Sequence, residues 1–190
     1  MSWLTGARAR LRVPLGFVFG ILALWLANPN GLTLALGGTI AVVGEALRIW
    51  AAGHLNKSRE VTSSGPYRWM AHPLYVGSSI MGLGLAVASG TPVVACLVVV
   101  YLGVTITAAI RSEEAFLRGS FGDGYDRYRR GDRSRDADGS GAFSIRRAID
   151  NREYRAVGGL LAAALLLVLK ATYNGLFWRA AGAPIVRPGG

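Results

Sequence analysis

The polar side chains best suited to chemistry are concentrated in two short stretches, residues 65–77 and 111–114, each beside a strongly apolar run. They comprise two phenolic hydroxyls, an imidazole, two carboxylates and a guanidinium: Tyr67, Tyr75, His72, Glu113, Glu114 and Arg111. Carboxylates accept from an ammonium or from ribose hydroxyls, donors hold a carboxylate, and aromatic faces hold a cation or a base. Together these groups are suited to binding a small zwitterionic ligand.

Residue types and spacing exclude several common kinds of site. The sequence contains no phosphate-binding Walker loop, and Gly82 and Gly84 lie inside an apolar run, so they do not form the dinucleotide-binding turn that follows a strand. Cys96 is the only cysteine, and His54 and His72 are the only histidines. Disulfides are therefore impossible within one chain, and no metal site is expected.

Five nearly charge-free runs of about 12 to 18 residues account for much of the chain, and flanking residues bring most of them near the ~20 needed to span a bilayer. They are residues 13–27, 32–43, 74–89, 93–110 and 156–169. Five such runs are difficult to bury in a soluble core of 190 residues. We therefore expect an all-α, polytopic membrane helical bundle of about five transmembrane helices with the lipid bilayer as a partner.

The net charge of +10 is distributed unevenly along the chain. Basic residues cluster before the first run, between the second and third, and between the fourth and fifth, whereas the connections at 28–31 and 90–92 carry none. This is the positive-inside pattern, and it predicts a cytoplasmic N-terminus and two cytoplasmic loops. The basic excess is thus explained by topology and lipid attraction, and no nucleic-acid partner is expected.

The turn signal Gly90-Thr91-Pro92 makes the third and fourth helices an antiparallel hairpin, so their cytoplasmic ends should be neighbours. The two polar stretches would then form one cytoplasmic pocket. Ser78, Gly82 and Ala86 recur every four residues of the third helix and predict a smooth strip for close packing against another helix.

The second helix carries two charges, Glu45 and Arg48, which share one face because they are three residues apart. One interpretation is an ion pair that spares the bilayer a lone charge. The other is that Arg48 faces the polar group of a substrate.

The chain is expected to be a single domain, residues 1–190. Residues 13–52 are predicted to form an N-terminal helical hairpin and residues 53–130 a cofactor-binding core. Residues 131–142, rich in Arg, Asp, Ser and Gly, are predicted to be a flexible connector. Residues 143–180 are predicted to contain an amphipathic helix at the membrane surface and then the last transmembrane helix.

In residues 61–79 and 111–130 the chain resembles the integral-membrane isoprenylcysteine carboxyl methyltransferases and their phospholipid-methyltransferase relatives. The resemblance covers about residues 48–130. It implies S-adenosyl-L-methionine bound at the cytoplasmic membrane surface and a lipophilic substrate that enters between helices. It assigns cofactor binding to Tyr67, His72, Pro73, Leu74, Tyr75 and Glu113. It assigns Arg111 and Glu114 as catalytic, substrate-facing groups.

Two features of the family pattern are missing. The arginine that usually precedes the His-Pro pair is replaced by Ala71, and the Val-Pro that often follows the second segment is replaced by Gly131-Asp132. Arg68 and Arg111 are the candidates to replace the missing arginine.

Methyl transfer from a sulfonium mainly requires alignment of the nucleophile and exclusion of water. A carboxylate acceptor is already ionised and Arg111 would position it, whereas an amine acceptor must lose a proton, for which Glu114 and His72 are candidates. Both acceptors remain open. Two further alternatives are an NADPH enzyme similar to the sterol reductases and a non-enzymatic membrane protein.

Overall fold

The computed structural model describes residues 16–56, 62–122 and 142–175, and these consist of helices and turns. In chain order the helices are α1 (Gly16–Leu26), α2 (Gly31–His54), α3 (Pro73–Ala88), α4 (Pro92–Phe121), α5 (Ile145–Asp150) and α6 (Tyr154–Tyr173), with a 3-10 turn at Gly65–Arg68. Residue 142 apart, the predicted connector 131–142 lies outside the described residues, as do the arginines before the first helix.

Three helices are long and apolar enough to cross a membrane: Gly31–His54, Pro92–Ser120 and Tyr154–Tyr173. The apolar helices Gly16–Leu26 and Pro73–Ala88 are shorter. Large apolar side chains point outward along them, which is what a hydrocarbon solvent requires: Phe17, Ile21, Val100, Val104, Leu161 and Leu165 are all exposed. The protein is therefore an integral membrane helical bundle, with three clear spans and two shorter apolar helices where about five spans were predicted.

The turns after α1 and after α3 abut at one end of the bundle, called here the turn end (residues 28–30 and 89–90). The amide of Asn28 donates to the carbonyl oxygen of Ser89 over 2.7 Å. Gly90 has φ +70°, and a Cβ there would lie 2.3 Å from the Asn28 carbonyl oxygen, so only glycine fits. Asn30 caps α2 reciprocally with Thr33.

Helices α2 and α3 pack with their backbones almost in contact. A Cβ added to Gly37 would lie 2.3 Å from the Ala88 amide nitrogen, and one added to Gly44 would lie 2.4 Å from that of Met81. From the α3 side, Gly84 approaches Ala41 in the same way. Small residues on both helices thus create the tightest interface of the bundle.

The predicted strip of Ser78, Gly82 and Ala86 is divided between two neighbours of α3. Gly82 lies against the Leu102 side chain of α4, and Ala86 packs with Val94 and Val98 of α4, while Ser78 faces α2. The closest backbone approach, which is to α2, instead uses the neighbouring face of α3 that carries Gly77 and Gly84. The prediction of a close-packing strip was therefore right about the helix and wrong about the face.

Helix α6 closes the bundle and reaches the turn end with Lys170. Its ammonium donates to the carbonyl oxygens of Leu24 and Trp25, at 2.5 and 2.6 Å. These are among the last carbonyls of α1, which have no partner within their own helix, so a cation there satisfies them and the helix dipole together.

Candidate functional site

His72 and the Glu113–Glu114 pair meet at the end of the α3–α4 hairpin opposite the turn end, called here the charged end. The Nε2 atom of His72 lies 3.4 Å from Oε1 of Glu114, and its Nδ1 lies 4.0 Å from Oε2 of Glu113. The side chains of His72 and Glu114 are 16% exposed, whereas that of Glu113 is 42% exposed. The imidazole thus lies between two carboxylates, one sheltered and one open to a ligand.

The start of α3 fixes the position of this imidazole. His72 is the N-cap residue of α3, and Pro73 follows at the first helical position, where its missing N–H costs nothing. Pro73 is fully buried, and the Tyr75 ring lies 5.8 Å from the His72 ring, centroid to centroid. Leu74 is half-buried, and its carbonyl accepts from the Ser78 hydroxyl. Pro73, Leu74 and Tyr75 are therefore grouped with His72.

Tyr67 lies in the 3-10 turn at Gly65–Arg68 and is buried. This turn rests on the end of α2, because a Cβ on Gly65, which has φ +56°, would lie 2.6 Å from the His54 ring. The His54 Nδ1 atom is 2.9 Å from the Trp50 carbonyl oxygen. The segment that carries Tyr67 is thus positioned by α2.

Glu114 also forms an ion pair with an arginine of its own helix. The guanidinium of Arg118 lies 3.9 Å from Oε2 of Glu114, one helical turn further along α4. Arg111 is exposed and stands one turn before Glu114. The i, i+4 spacing from Glu114 to Arg118 was a signal in the sequence that could have identified this pair.

A second polar cluster ties three helices together around Arg48. Its Nε atom lies 2.7 Å from Oε1 of Glu153, at the start of α6, and 3.5 Å from Oε2 of Glu45. Its Nη1 atom donates to the Ser78 hydroxyl of α3. Both Glu45 carboxylate oxygens are buried and accept no hydrogen bond from the described residues. The guanidinium thus contacts side chains of α2, α3 and the start of α6, which supports the interpretation that it forms an internal ion pair.

The chain before α6 also fastens the end of α2. The Asn151 side chain donates to the carbonyl oxygens of Ala52 and Leu55, at 2.9 and 3.0 Å, and the Ser144 amide donates to that of Gly53 at 3.0 Å. These contacts join residues about 90 to 100 positions apart, and sequence periodicity gives no sign of them.

In the part of the chain that the structure describes, no group of three or more His, Cys, Asp or Glu side chains is arranged to hold a metal ion. The described residues build an imidazole–dicarboxylate cluster beside the Tyr75 ring, where an apolar hairpin ends. Such a cluster can bind a cationic or hydroxyl-rich ligand at a membrane surface.

The helices that carry this cluster match a family model. Residues 31–124, from the start of α2 to just beyond α4, match the phospholipid methyltransferase family. Through this segment the chain belongs to that family. The match includes the Tyr67 turn, the His72 cap and the Glu113–Glu114 pair.

Three curated proteins align with about half of the chain. It is 34% identical over 97 residues to the nickel-cobalt-cadmium resistance protein NccN of Alcaligenes xylosoxydans xylosoxydans and to the cobalt-zinc-cadmium resistance protein CzcN of Cupriavidus metallidurans. It is 33% identical over 87 residues to the protein-S-isoprenylcysteine O-methyltransferase of Schizosaccharomyces pombe.

These alignments cover 50% of this chain and 44% of each bacterial relative, and 46% of this chain and 37% of the yeast enzyme. The phospholipid methyltransferase segment thus spans less than half the length of the relatives it matches. No solved structure matches the chain.

Proposed function

We propose that this protein is a membrane-embedded, S-adenosyl-L-methionine-dependent methyltransferase that acts on a lipophilic acceptor at the cytoplasmic membrane surface. The observation that carries the proposal is the meeting of His72 with Glu113 and Glu114 at the end of one apolar hairpin. Membership of a methyltransferase family and the likeness to an isoprenylcysteine O-methyltransferase support it.

The side chains of the cluster fit this cofactor in kind. Glu113 offers a half-exposed carboxylate that can accept from the ammonium or from the ribose hydroxyls, and the Tyr75 ring beside His72 offers an aromatic face to a cation. When bound, S-adenosyl-L-methionine supplies a methyl group on a cationic sulfur, and the electron pair of the broken bond goes to that sulfur.

The placement of the residues supports the following roles. Glu113 and His72 would bind and orient the cofactor, and Tyr67, Pro73 and Leu74 would shape the wall behind it. Glu114, held by His72 and Arg118, would face the acceptor. The exposed Arg111 would hold a substrate carboxylate or the cofactor carboxylate that Ala71 leaves without its usual partner.

A groove of about 230 Å³ lies between α3 and α4. It supports the proposal that the acceptor is lipophilic. Its wall includes Ser79, one turn beyond Tyr75, and Ile106, two turns before Glu113 on the same face of α4. A hydrocarbon tail in this groove would place its polar head at the cluster. The charged end would then face the cytoplasm, as the basic loops predict.

The experiment uses the full chain reconstituted in lipid and S-adenosylmethionine with a labelled methyl group. Membrane-lipid extract and a prenylcysteine are offered as separate acceptors. Methyl esters release labelled methanol in alkali, whereas N-methyl groups do not, so the same experiment separates a carboxylate from an amine acceptor. Titration with S-adenosylhomocysteine and with NADPH tests the class of enzyme. Binding of NADPH alone would favour a reductase, and binding of neither with no transfer would overturn the proposal.

A further inference from the structure

A larger apolar cavity, of about 590 Å³, lies between α1, α3, α4 and α6. Helix α3 contributes Leu85 and Ser89 from its last turn and cap, so the cavity extends to the turn end of the bundle. With a rise of ~1.5 Å per residue, Leu85 lies about 20 Å along α3 from His72. The cavity is thus remote from the candidate site.

The cavity is also separate from the groove proposed for the acceptor. The groove and the cavity lie on opposite sides of the line where α3 meets α4, and this line is filled by the packing of Gly82 on Leu102 and of Ala86 on Val94. The inference below therefore does not depend on the proposed methyltransferase activity.

The residues that line the cavity offer too few polar groups to hold water. Ser89 is the one residue with a side-chain hydroxyl among those lining the cavity, and this hydroxyl already donates to the Ala86 carbonyl oxygen over 2.6 Å. Apolar cavities without polar partners stay dry, and an empty one forfeits dispersion contacts on every wall. Because Val98 and Ala163 lie within the membrane spans of α4 and α6, the material available at this depth is hydrocarbon.

Two glycines, one on α1 and one on α6, line the cavity and leave space unfilled beside them. A Cβ added to Gly20 of α1, or to Gly159 of α6, would meet nothing within 4 Å. Both lie on the cavity, so helices α1 and α6 present bare backbone to it. The volume is within the range of about 300 to 1,000 Å³ found for ligand-binding cavities.

We propose that this cavity binds the hydrocarbon chain of one membrane lipid, which stays with the protein as a structural ligand between α1 and α6. Helix α1 packs against α3 and α4 through Phe19, Ala23 and Leu26, and Lys170 of α6 binds the carbonyls of its last turn. A lipid chain would fill the cavity and make the apolar contacts that no side chain makes there.

The test compares two adjacent glycines of α6. Gly159 lines the cavity and Gly158 does not, although a Cβ at either position would meet nothing within 4 Å. Wild type, Gly159→Leu and Gly158→Leu are released from nonionic detergent in a native mass spectrometer. We expect one retained lipid in wild type and Gly158→Leu, and about tenfold lower occupancy in Gly159→Leu. Absence of lipid from wild type, or equal occupancy in both variants, would overturn the proposal.

Two additions keep the result decisive. Gly20→Leu fills the same cavity from α1, and it should lower occupancy in the same way if Gly159→Leu does not fold. A phosphatidylcholine with a photoreactive diazirine at the end of one acyl chain should label lining residues such as Ala163 and Leu166. Labelling confined to the outward-facing Leu161 and Leu165, or cross-links showing residues 1–15 or a second copy of the chain in the cavity, would contradict it.

Discussion

The imidazole of His72 lies 3.4 Å from a carboxylate oxygen of Glu114, although 42 residues separate the two in the chain. The hairpin explains this contact. The turn at Gly90 reverses the chain, α4 returns along α3, and the residues that precede α3 meet the last turns of α4. The proposed cofactor site depends on this closure.

The first prediction concerns His72 and Glu113. We expect His72→Ala and Glu113→Ala each to weaken S-adenosylhomocysteine binding at least about tenfold, which corresponds to roughly 1.4 kcal/mol. The physical reason is loss of the groups that would accept from the ammonium or ribose of the ligand and orient it. Isothermal titration calorimetry in detergent measures the affinity.

The control for this prediction is Asp150→Ala, which removes an exposed acid from α5. It should leave the affinity unchanged. If both site variants bind as wild type does while remaining folded, the assignment of these residues to the cofactor is wrong.

The second prediction compares how much Glu45 and Glu153, the two acids that contact Arg48, contribute to stability. Glu153→Ala should lower the free energy of unfolding by about 3 kcal/mol, because removing one partner of a buried pair leaves the other inadequately compensated. Glu45→Ala should cost under about 1 kcal/mol, since the Glu45 oxygens accept no hydrogen bond within the described residues and the Arg48–Glu153 contact at 2.7 Å survives.

Denaturant titration of the protein in detergent micelles provides both values. If both variants lost the same free energy of unfolding, the cluster would act as one unit. The short Arg48–Glu153 contact would then contribute no more to stability than the Arg48–Glu45 contact. In neither variant should S-adenosylhomocysteine affinity fall as it does for His72→Ala, because both acids lie outside the candidate site.

The third prediction tests the α2–α3 interface with neighbouring glycines. A Cβ at Gly37 would lie 2.3 Å from one backbone nitrogen and 2.4 Å from a backbone oxygen of α3, whereas a Cβ at Gly38 meets nothing within 4 Å. Gly37→Ala should therefore destabilise the protein by about 1–3 kcal/mol through overpacking. Gly38→Ala should be neutral or stabilise it by up to about 1 kcal/mol. Thermal unfolding of the two variants distinguishes these signs, and a stable Gly37→Ala variant would refute the close packing.

The hairpin and its site could be predicted from the sequence because each depends on local signals. Apolar runs mark the helices, the Gly-Thr-Pro turn sets α3 antiparallel to α4, and polar residues at the ends of both runs then become neighbours. The family resemblance selected the same residues, and the family match covers them. Their roles in binding and catalysis remain predictions.

The contacts that join distant helices could not be predicted from local sequence signals. Glu45 stands three residues from Arg48 and was the obvious partner, yet the shorter contact comes from Glu153, 105 residues away. Likewise the spacing of Ser78, Gly82 and Ala86 indicated a small-residue face, but α2 uses the neighbouring face with Gly77 and Gly84. Periodicity identifies which residues share a face, whereas the rotation of each helix against its partners is decided by the whole bundle.

The last prediction concerns Arg152, a non-glycine residue with positive φ, +62°, in the turn between α5 and α6. Arg152 directly follows the C-cap of α5, and its amide donates to the Ile149 carbonyl oxygen over 2.8 Å, while the Glu153 amide donates to that of Ala148 over 3.0 Å. These are the two bonds of a Schellman cap, which places this residue in the left-handed region. For an L-residue this conformation costs about 1–2 kcal/mol, and glycine avoids most of that cost. Arg152→Gly should therefore raise the unfolding temperature. The same substitution at the exposed, helical Arg155 should lower it, because glycine costs about 1 kcal/mol inside a helix. A fall in both variants would show that the Arg152 side chain contributes more to stability than its backbone strain removes.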